Sequence, residues 1–364
     1  MRTLALAAAI TLVLPIGLGQ DQMLHTVFAT RSTASVDILR TTAPRPPAYF
    51  GYAARPMDNL QTVAPRIERL DRRLAELLPT DARVERIVHG FSWLEGPLWL
   101  DSKQILLFSD IPGNVIRSWS AQAGTHVFLE KSGYTGETPF AGREPGSNGL
   151  ALDRDGRLLI AEHGNRRITR LKADGSRTVL VDDYRGKRLN SPNDLTVAAD
   201  GSIYFTDPPF GLPDTFDDPG KELSFSGVFR RSPEGELTLL TDEVRAPNGI
   251  AFSPDGRTLY VSNAEHSNPV WYAFHVNADG TLGERRIFQD ATRFVTQYQG
   301  VPDGMKVDAG GNVFGSGPGG VYIFAPDGTH LGTIVIGGAT SNVAFGSGYL
   351  FITAGEAVYR VGLR

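Results

Sequence analysis

The sequence predicts an all-β protein whose main part is a six-bladed β-propeller, preceded by an N-terminal extension with a short helix. The first observation is that a side chain with a free oxygen stands before a short apolar run at six places in the 364-residue chain. These side chains are Glu95, Asn148, Asn193, Asn248, Asp303 and Asn342. They are separated by 53, 45, 55, 55 and 39 residues, a repeat length typical of propeller blades.

The second observation is the content of each repeat. A turn and a second strand follow the apolar run, and four of these turns lie at 154–156, 199–201, 254–256 and 309–311. Their Asp-Gly and Gly-Gly pairs favour hairpins, because the turn residues need positive φ. Two more strands follow in each repeat, and four strands make one propeller blade.

The third observation concerns the two ends of the repeat region. The sixth repeat supplies strands near Val343, at 349–353 and at 357–361, and the chain then stops one strand short of a full blade. Residues 84–89 precede the first repeat and can supply that outer strand. Pairing the two ends closes the ring and removes an open sheet edge. We therefore expect one propeller domain over residues 84–364.

The N-terminus predicts export. Residues 1–19 resemble a signal peptide, because Arg2 precedes an apolar stretch and small residues lead to a cleavage site near Gln20. This stretch is about 15 residues long, shorter than the roughly 20 that span a bilayer. We expect a periplasmic or secreted protein without a stable membrane anchor; the alternatives are an uncleaved anchor or a misassigned start codon. Residues 20–83 form the extension, where helical spacing of apolar residues predicts a helix near 66–78.

Composition narrows the function. Hydrophobic residues make up 41% of the chain and charged residues 21%, which suits a globular protein with a sizeable core. The net charge is −4, and no basic run interleaved with aromatic residues occurs, which argues against a nucleic-acid partner. The chain has no Cys, which excludes disulfides, zinc–thiolate sites and a Cys nucleophile.

The repeated oxygen-bearing side chains predict a cation site. If each repeat is one blade, these side chains stand at the start of the innermost strands and point into one axial channel. Carboxylate and amide oxygens are ligands for hard cations. None of the six positions is His or Cys, which argues against zinc or copper.

Four motifs at these positions resemble those of the gluconolactonase and senescence-marker-protein family. They are Glu95-Gly96-Pro97, Ser191-Pro192-Asn193-Asp194, Pro247-Asn248-Gly249 and Pro302-Asp303-Gly304. Residues 161–167 and 204–211 are similar to its bacterial gluconolactonase branch. The resemblance covers the chain from residue 67 to the C-terminus, and it implies a six-bladed, calcium-dependent hydrolase that acts on a small-molecule lactone or ester.

The resemblance also implies the residues of the site. Calcium would be held by Glu95, Asn193, Asn248 and Asp303, although another divalent cation is possible. Asp303 is then the expected catalytic base, because a carboxylate that touches both metal and water can accept a proton. No Gly-x-Ser-x-Gly motif occurs, which disfavours a serine acyl-enzyme. For Asn148 and Asn342 we favour water binding or a supporting role over direct ligation.

Propeller geometry suggests a pocket on the metal face, because each second strand returns to that face. His163 is a second catalytic candidate, although it can equally be a turn residue. The substrate-binding candidates are Asn148, Ser191, Asp207, Phe210 and His266. Asp207 can instead cap its turn, and Ser191 stands where vertebrate members of the family carry an Arg that contacts sugar hydroxyls. Segments 133–147, 210–226 and 290–302 can form a partial lid.

Other functions fit the same fold. A propeller can be a non-catalytic module that binds a partner on its face. It can also be a related ester or organophosphate hydrolase, or a strictosidine-synthase-like enzyme with a carboxylate catalyst and an apolar pocket. Fold alone does not choose among them. The full set of oxygen-bearing side chains favours the metal-dependent lactonase.

Overall fold

The computed structural model describes residues 63–364. The predicted signal peptide over residues 1–19, and the extension as far as residue 62, lie outside the described residues. Within the described part, no helix is long and apolar enough to cross a membrane.

The described part of the extension contains a strand, one helical turn and a second strand. They are β1 (Arg66–Arg69), α1 (Leu74–Leu77) and β2 (Val84–Val88). The helix predicted near 66–78 is therefore wrong over its first half, since residues 66–69 are extended.

Two contacts explain the shorter helix. β1 pairs antiparallel with the outer strand of the fifth blade, with Arg66 opposite Val335, so its backbone forms sheet hydrogen bonds instead of helical ones. The Asp71 carboxylate accepts a hydrogen bond from the Arg73 backbone N–H at 2.9 Å, just before α1. The apolar spacing that predicted one helix reflects burial of Ile67 and Leu74 in one cluster, from two different elements.

Six antiparallel blades make up the rest of the structure. The first five each contain a meander of four consecutive strands, and the sixth combines three consecutive strands with β2. The first blade is β3 (Leu94–Leu100), β4 (Ile105–Asp110), β5 (Val115–Ser120) and β6 (Gly124–Glu130). The second is β7 (Ser147–Leu152), β8 (Leu158–Glu162), β9 (Arg167–Leu171) and β10 (Arg177–Val181), followed by a small ladder of β11 (Asp183–Tyr184) and β12 (Lys187–Arg188). The third is β13 (Leu195–Val197), β14 (Ile203–Asp207), β15 (Gly227–Arg231) and β16 (Leu237–Thr241).

The second half of the ring repeats this order. The fourth blade is β17 (Pro247–Phe252), β18 (Thr258–Asn263), β19 (Val270–Val276) and β20 (Leu282–Asp290). The fifth is β21 (Met305–Val307), β22 (Val313–Gly317), β23 (Gly320–Phe324) and β24 (His330–Val335), with β1 on its outer edge. The sixth is β25 (Asn342–Gly346), β26 (Tyr349–Ala354) and β27 (Ala357–Gly362), with β2 as its fourth strand. Short 3₁₀ turns lie at Asp101–Lys103 and Thr215–Asp217.

The ring closes as predicted. β2 pairs antiparallel with β27, with Val84 opposite Val361 and Arg86 opposite Tyr359. The sixth blade is thus built from both ends of the described chain. The prediction of a six-bladed propeller is confirmed.

The core lies between neighbouring blades. Each pair of successive blades encloses one cluster of buried apolar side chains, including the pair formed by the sixth and first blades. Phe351 of the sixth blade, for example, stacks on Trp99 of the first, with ring centroids 5.3 Å apart. These six clusters surround the propeller axis, so they fix the positions of the blades that carry the polar residues at the axis.

The innermost strands begin irregularly. Regular pairing with the second strand shifts between Glu95 and Leu98 in the first blade, and between Pro247 and Ile250 in the fourth. Such bulges redirect side chains and are common beside functional sites. In this fold they lie at the residues predicted to bind the cation.

Candidate active site

Five of the six predicted oxygen-bearing side chains lie together at the start of inner strands, on one face of the ring. They are almost completely buried, with 2% exposure for Glu95, 3% for Asn148, 2% for Asn193, 1% for Asn248 and 3% for Asp303. Buried polar groups need partners. Their shared burial therefore defines a polar centre inside an otherwise apolar fold.

Glycines after these residues allow the inner strands to approach closely. Gly149 N–H donates to the Asn193 carbonyl at 2.7 Å, and Gly304 N–H donates to the Ser341 carbonyl at 2.7 Å. A Cβ placed on Gly304 would lie 2.0 Å from Asn342 Cγ. No side chain fits at that contact, so the acceptor–glycine pair of the sequence motif is a packing requirement around the axis.

In the sixth blade, the residue that corresponds to Glu95, Asn148, Asn193, Asn248 and Asp303 lies one position earlier than the sequence predicted. Ser341 N–H donates to the carbonyl of Thr353, as Asp303 N–H donates to that of Ser316 in the fifth blade. Ser341 thus occupies the sixth ring position, and placing Asn342 there was wrong. Asn342 lies at the next position, which is glycine in most other blades, and its amide donates to Asp194 Oδ2 at 3.4 Å. The single-residue offset was hidden because Asn342 also precedes an apolar run.

Hydroxyl groups from the second strands join the blades around this centre. Four of them donate to the backbone carbonyl of the ring residue in the next blade. The bonds are Ser109 to Asn148 at 2.7 Å, Thr206 to Asn248 at 2.6 Å, Ser262 to Asp303 at 2.8 Å and Ser316 to Ser341 at 2.7 Å. This hydroxyl girdle, formed by Ser109, Thr206, Ser262 and Ser316, fixes the backbone positions from which the ring side chains project.

Negative charge is concentrated at the axis. Burial, together with the charges of Asp194 and Glu144, raises the pKa of Glu95 to about 8. Burial also raises the pKa of Asp303 well above its usual range, with the charges of Glu95 and Asp194 adding to the effect. Asp194 and Glu144 were not selected from the sequence as site residues. The centre has a surplus of carboxylates, and this surplus favours a cation.

Two oxygen atoms of the centre also lack hydrogen bonds. Asp303 Oδ1 and Asn148 Oδ1 are buried and have no partner among the described residues. An unsatisfied buried polar group costs about 1–3 kcal/mol, and a hard cation coordinated by such oxygens would remove that cost. Over residues 63–364, no three His, Cys, Asp or Glu side chains form a metal-binding group. A cation here would therefore also need the amide oxygens of Asn193 and Asn248.

His163 lies in the turn after β8 and has a partner that the sequence did not reveal. Its Nδ1 is 2.5 Å from Glu144 Oε2, and the side chains of the pair are 0% and 6% exposed. His163 Nε2 is buried and has no partner among the described residues. His163 is therefore not a turn residue satisfied only by backbone, because a carboxylate from the segment before β7 orients its ring.

Ser191 and Asp207 hold the segment that enters the third blade. The two Asp207 oxygens accept hydrogen bonds from the backbone N–H groups of Asn190 and Ser191, both at 2.8 Å. The Ser191 hydroxyl donates to the Pro208 carbonyl at 2.6 Å and accepts from Gly211 N–H at 2.8 Å. The Asp207 carboxylate thus binds a segment 16 and 17 residues earlier in the chain, and not its own turn as the capping interpretation expected. Asp207 therefore fixes the backbone just before Asn193, whereas the Ser191 hydroxyl fixes the backbone after β14. Contact of either side chain with substrate stays a prediction.

The predicted lid segments form a continuous rim. Phe210 packs with Ala264 and Val301 in one apolar cluster, which joins segments 210–226 and 290–302. A Cβ on Gly142 would lie 3.3 Å from the Gly211 carbonyl oxygen, so segment 133–147 touches the same rim. His266 is exposed in the loop before β19. Its role, and that of Phe210, in substrate binding stays a prediction.

Two acidic residues at the ends of second strands face away from the centre. Asp110 binds Arg117 at 3.0 Å. Glu162 is fully buried and binds Arg167 at 2.7 Å and Arg177 at 2.8 Å. These ion pairs lie within the first and second blades, and both oxygens of Glu162 are occupied by partners of the second blade.

Known proteins share this architecture and sequence. Residues 93–356 match the SMP-30/Gluconolactonase/LRE-like region. A gluconolactonase of Zymomonas mobilis is 42% identical over 305 residues, which cover 81% of this chain and 85% of the relative. A pentonolactonase of Haloferax volcanii is 26% identical over 258 residues, covering 69% and 77% of the two chains.

A solved structure agrees with these sequence matches. The gluconolactonase structure from Xanthomonas campestris superposes with a TM-score of 0.72 at 37% identity, covering 84% of this chain and 98% of that one. The family match over residues 93–356 contains the polar centre, the four consecutive strands of each of the first five blades and the two inner strands of the sixth. The chain therefore belongs to the SMP-30/gluconolactonase/LRE-like family.

Proposed function

We propose that the protein is a lactone hydrolase that uses a bound divalent cation, with calcium as the expected ion. The gluconolactonase and pentonolactonase relatives support lactone hydrolysis. The observation that carries the cation is the unpaired Asp303 Oδ1, buried beside Glu95 and Asp194, whose charges raise the pKa of Asp303. A polar centre of this kind also fits a strictosidine-synthase-like apolar pocket poorly.

The residues of the centre fit calcium. Glu95 and Asp303 supply two carboxylates, and Asn193 and Asn248 supply two amide oxygens, all from buried positions. Calcium takes six to eight oxygen ligands, which leaves room for water and a substrate oxygen. When bound, the ion would polarise the lactone carbonyl as a Lewis acid.

The remaining chemistry belongs to the side chains. We assign Asp303 as the base, because its Oδ1 has no other hydrogen-bond partner. It takes a proton from water as the water oxygen bonds to the lactone carbonyl carbon. The ring C–O bond then breaks, and the departing ring oxygen receives the proton, which gives an open-chain hydroxy acid. Glu95 supplies negative charge without serving as the base, since its Oε2 accepts a hydrogen bond from Gly96 N–H at 3.1 Å.

The test combines metal analysis with activity. Purified protein should contain about one equivalent of calcium and should hydrolyse one or more of a panel of sugar, aromatic and aliphatic lactones and aryl esters. Removal of the ion with a chelator should abolish the activity, and re-addition of calcium should restore it. Chelation should also lower the melting temperature, because the ion binds only the folded state.

Two results would contradict the proposal. Full activity in protein free of metal would remove the cation from the mechanism, and inactivity of the calcium-loaded protein on every lactone and ester would favour the binding module. Export is proposed on the N-terminal pattern alone, and cell fractionation with N-terminal sequencing of the mature protein tests it.

A further inference from the structure

The buried imidazole of His163 is only half satisfied. Its Nδ1 is bound to Glu144 Oε2 at 2.5 Å, whereas its Nε2 is shielded from solvent and has no partner among the described residues. Native structures leave few buried polar atoms unpaired, and each such atom needs an explanation. The reaction proposed above, with Asp303 as the base, gives His163 Nε2 no role.

The pair lies in the wall of the site mouth. Glu144 comes four residues before Asn148, on the segment that enters the second blade, and His163 N–H donates to the Gly146 carbonyl at 3.2 Å. A Cβ on Gly211 would lie 2.9 Å from His163 Cβ and 2.8 Å from Ser191 Cβ, so the ring also borders the segment that enters the third blade. The charge of Glu144 contributes to the raised pKa of both Glu95 and Asp303, which places the pair near the axis.

The chemistry of the pair defines the missing partner. A carboxylate accepts hydrogen bonds, so Glu144 selects the ring form with hydrogen on Nδ1 and leaves Nε2 of the neutral imidazole as an acceptor. The partner of that ring form is a hydrogen-bond donor. Hydroxyl groups are donors that a polyhydroxylated lactone carries at several ring carbons and that a simple aliphatic lactone lacks.

We propose that His163 Nε2 accepts a hydrogen bond from a substrate hydroxyl, and that Glu144 is the positioning residue that holds the ring for it. This inference rests on the proposed lactonase function and narrows its substrate class to hydroxylated lactones. His163 Nε2 is shielded from solvent, and the segment that carries Glu144 is held in place by a bond from Tyr134 N–H to the Pro145 carbonyl at 2.5 Å. Substrate entry therefore includes an outward shift of this rim segment, a motion common in lids of active sites.

The kinetic test compares D-glucono-1,5-lactone with δ-valerolactone, which has the same ring size and no hydroxyl groups. In Glu144→Ala and His163→Phe, kcat/KM should fall at least tenfold more for the hydroxylated lactone, about the effect of one hydrogen bond. Glu144→Gln keeps an acceptor for Nδ1 and should stay within threefold of the wild-type ratio. His330→Gln is the matched control, because this His lies in the fifth blade and bonds to Gly332 and Thr333.

Two outcomes would overturn the inference. In the first, Glu144→Ala loses equally in kcat/KM on both lactones, so that the ratio of the two values is unchanged. The Glu144–His163 pair would then have only a structural role. In that case only this inference fails, because the wild type still hydrolyses lactones. A wild type inert on both lactones also overturns this inference, and the proposed function then depends on the wider panel of lactones and esters.

A second readout does not depend on catalysis or on the folding of His163→Phe. In ¹⁵N-histidine-labelled wild-type protein, saturation with the unreactive D-glucono-1,5-lactam should shift the Nε2 resonance of His163. The same lactam should leave this resonance in place in Glu144→Ala. Absence of a shift in the saturated wild type would refute the contact.

Discussion

Replacement of Glu95 by Gln should stabilise the metal-free protein at alkaline pH while it weakens calcium binding. Glu95 is 2% exposed, and the metal-free protein has to bury its charge near two other carboxylates. Gln keeps the shape and can keep the hydrogen bond from Gly96 N–H, but it carries no charge. The same substitution therefore separates the cost of the buried charge from its use in metal binding.

The magnitude follows from the pKa of Glu95, which burial raises from 4.5 to about 8. Between these values the unfolded chain releases the proton and the folded protein retains it, so stability falls as pH rises through this window. At about 1.4 kcal/mol per pKa unit, the full loss is about 5 kcal/mol by pH 8, an upper bound because water entering the centre would reduce it. Below pH 4.5 both states are protonated, and the substitution should have little effect.

The assay is thermal unfolding of metal-stripped wild type and Glu95→Gln at pH 4.5, 6 and 8, repeated with calcium. The variant should gain stability progressively from pH 4.5 to pH 8 without metal and should lose most of the calcium-induced rise in melting temperature. Glu85→Gln is the control, because it makes the same chemical change at an exposed residue paired with Arg360. A gain in melting temperature that is equal at pH 4.5 and pH 8 would refute the reasoning.

Two further predictions concern the base and the close packing at the axis. Asp303→Asn removes the proton acceptor but preserves its size, so kcat should fall about 10² to 10⁴-fold; near-full activity with calcium bound would exclude Asp303 as the base. Gly304→Ala places a methyl group against Asn342, and we expect a loss of more than about 2 kcal/mol in denaturant unfolding, whereas Gly156→Ala, in an open turn with φ +75°, should cost less.

The features that repeat along the sequence could be predicted. The number of blades, the strand that closes the ring and five members of the polar centre all follow from the spacing of the motifs and from the turn residues. Equivalent residues of successive blades lie at the same distance from the propeller axis and at the same height along it. The hydroxyl girdle could also have been predicted from the sequence. Each of its members is a Ser or Thr at the penultimate position of a second strand, as at Ser109, Thr206 and Ser262.

The residues that were missed depend on contacts between distant segments. Glu144 lies in an irregular segment, and only the fold brings it to His163. Asp194 stands where Glu95, Asn148, Asn248 and Asp303 are each followed by glycine. Its hydrogen bond with Asn342 joins residues 148 positions apart. The N-terminal helix was overestimated because β1 finds a free sheet edge at β24, a tertiary contact that overrides local periodicity.

The shared sixth blade has a consequence for how the chain reaches its native state. Val84 and Val361 are paired, yet 277 residues separate them, so this contact forms only after nearly the whole chain has been made. Until then the early strand has no partner and the first and fifth blades each expose an apolar face. Pairings over such distances are slow because closing the loop costs entropy before any contact is gained. A chain truncated within β27 would therefore leave an open ring with two apolar faces prone to aggregation, instead of a slightly smaller propeller.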